Sequence, residues 1–278
     1  MFAKKAMLVE LTIRQWSARK HDRSATNAVA ATYNAASATT AGRYDKYLIS
    51  KTAVEKIATR ANAIRAYHYR NTLPWGTKGQ HLLPAKHFME YRRALQQLKG
   101  EFNDEVQAFL GRYAYYVDEA RQRLGALYDP ADYPPVGEVA KRYGVDLEIL
   151  PVPDSGDFRV DVANEERQEL MAQVASITQA RQAEATKACV VRVRDVLQRM
   201  KQQCLAERPR ITDALVEDIH ELAGSLDGLN FNDDPELQRI TQEIRQDLLF
   251  DVSSLRQSPV TRRMVGERAD QILQSMQW

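Results

Sequence analysis

Two long stretches of the sequence repeat apolar side chains every three or four residues, and this spacing constrains the fold more than any other feature. The first stretch begins after Leu83, where Pro84 suits a first helical turn, and continues to Leu124. At a rise of 1.5 Å per residue, such a helix is roughly 60 Å long. The second stretch runs from about Glu165 to Glu207. The pattern predicts two long helices that form an antiparallel helical hairpin.

Strand signals are few and short. Met7 to Arg14 is one strand candidate, because its side chains alternate between apolar and polar from Val9 onward. Val145–Val152 and Phe158–Val162 are further candidates. The sequence therefore predicts a mainly α protein with a small β element (α+β), in which the N-terminal strand joins the mid-chain strands.

The remaining segments predict shorter elements. A helix is expected from Arg43 to Arg70, and a short one around Val136–Tyr143. Residues 17–42 are rich in Ala, Ser, Thr and Asn and predict a weak helix or a mobile segment. Three C-terminal helices are expected, since N-cap residues and prolines mark their starts at Thr212-Asp213, Asp233-Asp234-Pro235 and Ser258-Pro259.

Charge is divided unevenly along the chain. The net charge of the 278 residues is only +2, yet residues 1–100 contain 18 Lys and Arg against five acids, a net of +13. The rest of the chain therefore has a net charge of −11. This asymmetry predicts a basic nucleic-acid-binding segment at residues 1–83 and an acidic helical body at residues 84–278, with a β insert at about 145–162.

The motifs of common enzymes and cofactor sites are missing. The sequence has no phosphate-binding glycine loop, dinucleotide fingerprint, His-Glu-x-x-His, Cys-x-x-Cys or Gly-x-Ser-x-Gly. We therefore expect no catalysis, no cofactor and no metal. No apolar run is long enough to cross a membrane, and the first residues lack the apolar region of a signal peptide. These features predict a protein of the cytoplasm that does not bind membranes.

Basic and aromatic residues are interleaved in the first third of the chain, which contains 10 of the 22 aromatic residues. This pairing is typical of proteins that bind single-stranded DNA, because cations contact the phosphates while aromatic rings stack on exposed bases. The candidate binding residues are Arg14, Trp16, Arg19, Lys20, Arg23, Arg43, Tyr44, Lys46, Lys51, Lys56, Arg60, Arg65, Tyr67, Tyr69, Arg70, Trp75 and Lys78. Lys78 lies in a basic loop, Gly76-Thr77-Lys78-Gly79.

Other interpretations of the same residues stay open. The two tryptophans could be core residues, and the basic segment could dock on the acidic part of the same chain or of a second copy. The chain would then be a structural or assembly protein whose long helices mediate homo-oligomerisation. A third possibility is an adaptor for an AAA+ machine.

Several short segments together are similar to a known family. They are Leu11-Thr12-Ile13 followed by Trp16-Ser17-Ala18-Arg19-Lys20, then Leu73-Pro74-Trp75, Leu82-Leu83-Pro84, Ala131-Asp132-Tyr133-Pro134, Gly156-Asp157-Phe158-Arg159-Val160 and Asp233-Asp234-Pro235. The chain resembles a family of tailed-phage proteins defined as a domain of unknown function. Within this family, the size and charge distribution of the chain resemble those of a group of RNA polymerase cofactors. These cofactors bind single-stranded DNA and come from lytic podophages that carry a virion polymerase. The resemblance implies a transcription regulator in the cytoplasm of an infected bacterium, with a phage RNA polymerase as a possible partner.

Overall fold

The computed structural model describes residues 2–76, 79–154 and 164–277. Within these residues the chain forms six strands, β1 (Ala6–Arg14), β2 (Arg19–His21), β3 (Asp45–Tyr47), β4 (Leu73–Pro74), β5 (Gln80–Pro84) and β6 (Gly144–Pro151). The helices are α1 (Arg23–Thr32), α2 (Ala38–Ala41), α3 (Lys51–Asn71), α4 (Phe88–Gly111), α5 (Tyr113–Leu124), α6 (Val136–Ala140), α7 (Asn164–Cys204), α8 (Asp213–Leu229), α9 (Pro235–Asp247), α10 (Val252–Gln257) and α11 (Pro259–Ser275). The predicted mainly α fold with a small β element is confirmed.

The main sheet has four strands in the order β4-β5-β1-β6. β1 and β5 are antiparallel, with Ala6 opposite Pro84 and Glu10 opposite Gln80. The prediction that the N-terminal strand joins a mid-chain strand is therefore confirmed, since β1 neighbours β6. The other mid-chain candidate, Phe158–Val162, lies outside the described residues, as does the basic loop at Thr77 and Lys78.

The chain divides into two compact units, each assembled from separate segments. Unit 1 comprises Met1–Leu11, Tyr67–Arg92 and Leu147–Trp278, and unit 2 comprises Thr12–Ala66 and Arg93–Asp146. Neither unit coincides with the predicted segments 1–83 and 84–278. Charge is also less segregated between the units than along the sequence, because unit 2 contains 17 basic and 12 acidic residues.

Unit 1 is built around the 41-residue helix α7. This helix packs mainly on α11 and α8, and strand β4 contacts it as well. Leu197, Met200, Ile219, Ile240 and Val265 are fully buried in the resulting core. Burial of these side chains supplies most of the free energy that holds the C-terminal helices together. No helix of the described residues is long and apolar enough to span a membrane.

Unit 2 combines a second, two-stranded sheet with helices. β2 and β3 pair with each other, and α1 and α2 lie between them in the sequence. The core includes Ile57, Ile64 and Phe102, which are the apolar side chains that the helical spacing of α3 and α4 places on one face. Residues 17–42, predicted as a weak helix or a mobile segment, form β2, α1 and α2 here.

Two predicted helices differ from the observed ones. The helix expected from Arg43 begins only at Lys51, because residues 45–47 pair with β2 and the Leu48 amide donates to the Ala18 carbonyl at 2.8 Å. The long helix expected after Leu83 ends at Gly111 and α5 follows it. Glycine weakens a helix interior, and the Arg112 amide donates to Phe109 one residue short of the helical spacing. The hairpin predicted from the two long helices stays a prediction.

Candidate nucleic-acid interface

The two-stranded sheet of unit 2 separates its side chains onto two faces. Three residue pairs lie opposite each other, Arg19 with Tyr47, Lys20 with Lys46, and His21 with Asp45. Since side chains alternate along a strand, the first and third pairs share one face, here called the outer face. Arg19 and His21 are thereby held about 7 Å apart on that face. The side chains of the middle pair, Lys20 and Lys46, lie on the opposite face, here called the inner face.

The inner face of this sheet carries a buried ion cluster. The Lys46 ammonium lies 3.0 Å from Oδ2 of Asp22 and 2.7 Å from Oδ2 of Asp132, and it donates to the Leu127 carbonyl oxygen at 2.7 Å. Lys20 forms an ion pair with Asp132 as well. Lys46 and Lys20 therefore neutralise carboxylates within the protein.

The pKa values in this cluster follow from the pairing. Burial lowers the pKa of Lys46, but the carboxylates of Asp132 and Asp22 outweigh that effect and raise it above the ordinary value. Burial raises the pKa of Asp132, but hydrogen bonds from Lys20 and Lys46 outweigh it and leave that pKa lowered. Lys46 and Asp132 are thus both ionised at neutral pH.

The outer face is lined by cations at one end. The Arg19 guanidinium carbon lies 4.6 Å from the centre of the Tyr47 ring, and Lys51 Nζ lies 4.9 Å from the same point. These three side chains border a cleft of about 410 Å³. Both cations are exposed, so they can contact an anion while they stay near the ring.

A second cleft of about 610 Å³ lies at the other end of the outer face, between α1 and α2. Two arginines, Arg23 and Arg43, line it together with His21. Arg43 Nε donates to Oδ1 of Asp45 at 2.7 Å, while Arg23 has no ion-pair partner among the described residues. Tyr44, which is 38% exposed, follows Arg43 in the chain and lines a smaller adjoining cavity with it.

We define the basic surface as the exposed or half-exposed Arg, Lys, His and Tyr side chains on the outer face, in its two clefts and in the smaller adjoining cavity. Its members are Arg19, His21, Arg23, Arg43, Tyr44, Tyr47 and Lys51. Five of the predicted binding residues belong to it, namely Arg19, Arg23, Arg43, Tyr44 and Lys51.

Other predicted residues of unit 2 lie elsewhere or are already paired. Arg14 forms an ion pair with Asp146 at 2.9 Å, and Arg60 with Glu101 at 2.7 Å. Arg65 donates to the Asn62 side chain at 3.0 Å. Lys56 is exposed on α3. These side chains are cationic, but only Lys56 of them has no polar partner among the described residues.

The remaining predicted residues belong to unit 1, apart from Trp16. Tyr67 stacks on Tyr91 with ring centres 5.6 Å apart, and Tyr69 is 54% exposed. Arg70 forms an ion pair with Glu221. Lys78 lies outside the described residues.

Trp16 and Trp75 are core residues in the structure. Trp16 is 7% exposed and meets Tyr113 edge to face at 6.1 Å, and Trp75 is 1% exposed and stacks on Phe2 at 5.9 Å. Neither ring can stack on a base without leaving its packing site. The alternative interpretation, in which both are core residues, matches their burial, so we leave them out of the basic surface.

The predicted site residues did not include His21, Tyr33 or Tyr47. His21 follows Arg19 by two residues, which is the strand spacing, but a three-residue strand is too short to detect by alternation. Tyr47 falls within the helix predicted from Arg43 to Arg70, whereas it lies in β3. Tyr33 is 80% exposed at the end of α1, and the sequence carries no signal for that exposure.

A family model described as "Protein of unknown function (DUF3150)" matches residues 3–254. The chain belongs to this family. The match confirms the predicted membership of an uncharacterised family, and the DUF3150 region includes every residue of the basic surface. No curated protein and no solved structure matches the chain. Among the described residues, no group of three or more His, Cys, Asp or Glu side chains could hold a metal ion.

Proposed function

We propose that this protein binds single-stranded DNA through the basic surface of unit 2, without catalysis. One observation carries the proposal: the outer face of β2 and β3 joins two clefts, with Arg19 at one and Arg23 and Arg43 at the other. Cations thus follow a path that a flexible phosphate backbone can track, and most of the free energy of binding would come from release of counterions.

The tyrosines favour a single strand over a duplex. In single-stranded DNA the base faces are free to stack, and each base–aromatic stack contributes about 1–3 kcal/mol. Tyr44 is partly exposed beside the α1–α2 cleft, and Tyr33 is exposed at the end of α1. Duplex binding requires no such rings, because the bases are already stacked within the helix.

We further propose a role in phage transcription, in which the captured strand belongs to an opened promoter and a phage RNA polymerase is the partner. The resemblance to podophage polymerase cofactors supports this role. Acidic side chains of the C-terminal helices, such as Glu217 on α8, would be the contacts for a polymerase or for a second copy. This role would place the protein in the cytoplasm of the infected bacterium.

Fluorescence anisotropy with labelled oligonucleotides tests DNA binding. The variant Arg19→Gln/Arg23→Gln/Lys51→Gln removes three charges from the basic surface. We expect its affinity for a single strand at low salt to be at least about tenfold weaker than that of the wild type. The matched control is Arg92→Gln/Arg208→Gln/Arg210→Gln, which removes three exposed arginines of unit 1.

Three results would contradict the proposal. The first is that the wild-type protein binds no single strand at low salt. The second is that the two triple variants lose the same affinity, which would mean that net charge rather than the basic surface determines binding. The third is equal affinity for duplex and single strand, which would remove the argument from stacking.

A further inference from the structure

The α1–α2 cleft is larger than a contact to one phosphate requires. Its volume of about 610 Å³ lies within the usual range of roughly 300–1,000 Å³ for sites that hold small molecules. Its neutral lining comes from Thr26, Asn27, Ala38, Thr39 and Gly42. The cleft therefore combines cations with neutral polar groups, the composition expected of a site for an anion with an attached ring.

Two side chains of α1 offer unused hydrogen-bonding groups to this cleft. Arg23 and Asn27 are four residues apart, so they lie on the same side of the helix. Both are exposed, and neither has a hydrogen-bond or ion-pair partner among the described residues. The amides at the start of α1 are less available, because the Asp22 carboxylate already accepts from the Ala25 amide at 2.9 Å.

The far side of the cleft depends on Gly42. This residue ends α2 with φ +119° and ψ −164°, a conformation that is essentially restricted to glycine. The turn leads directly into Arg43, which lines the same cleft. Arg43 already pairs with Asp45, so an incoming anion must share or displace that carboxylate.

We propose that the α1–α2 cleft is a nucleotide site, which takes one nucleotide of the bound strand. Arg23 and Arg43 would bind the phosphate, and the Asn27 amide would bind the base edge. An asparagine presents one acceptor and two donors, which complement the N7 acceptor and N6 donor of adenine. The inference rests on the proposed binding of single-stranded DNA and adds the part of the strand that the cleft recognises.

Isothermal titration calorimetry of the 278-residue chain tests the site with three probes: dAMP, deoxyadenosine and inorganic phosphate. A site that binds both phosphate and base predicts an affinity for dAMP at least about tenfold higher than for either fragment, because each fragment makes only part of the contacts. If inorganic phosphate binds as tightly as dAMP, the cleft is only a phosphate contact and the inference is overturned. Absence of dAMP binding overturns it as well.

Single variants locate the site. We expect Arg23→Gln and Asn27→Ala each to weaken dAMP binding by about fivefold or more, the loss expected when one hydrogen-bonded contact is removed. Arg93→Gln and Asn103→Ala are the matched controls, since both residues are exposed in unit 2 and outside the cleft. Equal losses in variants and controls overturn the inference.

Oligonucleotide binding separates this inference from the proposed function. If the wild type binds a single strand but Asn27→Ala leaves that affinity unchanged and dAMP does not compete, the nucleotide site fails and the proposed function stands. If dAMP binds in the cleft but single strands do not bind more tightly than dAMP, the proposed function fails and the site stands.

Discussion

His68 is a buried histidine whose surroundings keep it neutral. Its Nδ1 lies 2.7 Å from the Tyr91 hydroxyl, and its ring centre lies 4.9 Å from that of His81. Burial, together with the neighbouring His81, lowers the pKa of His68 to about 4. The unfolded chain therefore binds a proton at a higher pH than the folded protein does, and the protein loses stability when the pH falls from 6.5 towards 4.

His68→Gln tests this effect. Between pH 6.5 and pH 5 we expect His68 to account for a loss of about 1–2 kcal/mol in the free energy of unfolding of the wild type. Urea denaturation at a series of pH values measures it, and the slope against pH should be shallower in His68→Gln. His220→Gln, at an exposed histidine, is the control that should keep the wild-type slope. An unchanged slope in His68→Gln would contradict the assignment.

Lys46 is the cation on which the buried cluster of unit 2 depends. Replacing it by Met leaves the carboxylates of Asp22 and Asp132 without this cation, so we expect Lys46→Met to cost about 3–5 kcal/mol of stability. Thermal or urea denaturation measures the loss. Lys56→Met, at an exposed lysine of α3, should change stability by less than about 0.5 kcal/mol. If Lys46→Met changes stability as little as Lys56→Met does, the ion cluster does not stabilise the fold.

For single residues, the sequence indicated which residue types could bind DNA, but it did not indicate which of their side chains are exposed. Arg23 and Trp75 met the same criterion, a basic or aromatic residue in the first third of the chain, yet Arg23 is exposed and Trp75 is buried against Phe2. A tryptophan provides both a ring for stacking and a large apolar surface for a core. Which role it takes depends on contacts with residues far away in the sequence, and local composition carries no information about those contacts.

The C-terminal end of helix α3 is capped by an arginine side chain from another helix. The last carbonyl groups of a helix have no partner within it, and Arg192 of α7 donates to three carbonyl oxygens there. Its Nη1 lies 2.7 Å from the Arg70 oxygen, and its Nη2 lies 2.9 Å from those of Tyr69 and Thr72. Positive charge at this end also complements the helix dipole.

We expect Arg192→Leu to destabilise the protein by about 2–4 kcal/mol, since it removes three charge-assisted hydrogen bonds at once. Arg192→Lys should recover less than half of that loss, because one ammonium cannot reproduce the planar fork of a guanidinium. Chemical denaturation of both variants measures the difference. Full recovery in Arg192→Lys would mean that charge alone, and not the fork, stabilises this end of α3.

Element boundaries were predictable where local chemistry determines them. Thr212, Asp234 and Ser258 are the N-caps of α8, α9 and α11, as predicted, and each side chain accepts from an amide of the first turn. β2 and β3 were missed because each has only three residues and forms through pairing with a distant partner. β4 was missed because it has only two residues, and β5 because its five residues form a strand through pairing with the distant β1. α10 was missed because its six residues are too few to show a helical period.

At the scale of the whole molecule, the charge pattern predicts how DNA binding depends on salt. For single strands, the logarithm of affinity falls by about 0.7 per phosphate neutralised for each unit in the logarithm of salt concentration. Arg19, Arg23, Arg43 and Lys51 therefore predict a slope of about −3. The triple variant of Arg19, Arg23 and Lys51 should be shallower by about 2 units.

A salt titration of oligonucleotide binding from 50 mM upwards provides both slopes. The unit 1 control variant should keep the wild-type slope within about half a unit. If its slope changes by more than that, arginines of unit 1 also contact phosphates. The contacts with DNA would then not be confined to the basic surface of unit 2.

Unit 2 contains ion-pair partners that are synthesised at different times during translation. Lys20 and its partner Asp132 are separated by 112 residues. At a synthesis rate of about 5–20 residues per second, roughly 6–20 s pass between the two. During that interval the emerging segment carries Lys20 and Lys46 without the Asp132 carboxylate that later pairs with both. The nascent chain is then more basic around β2 and β3 than the finished protein, so a polyanion such as ribosomal RNA would compete with folding most strongly at this stage.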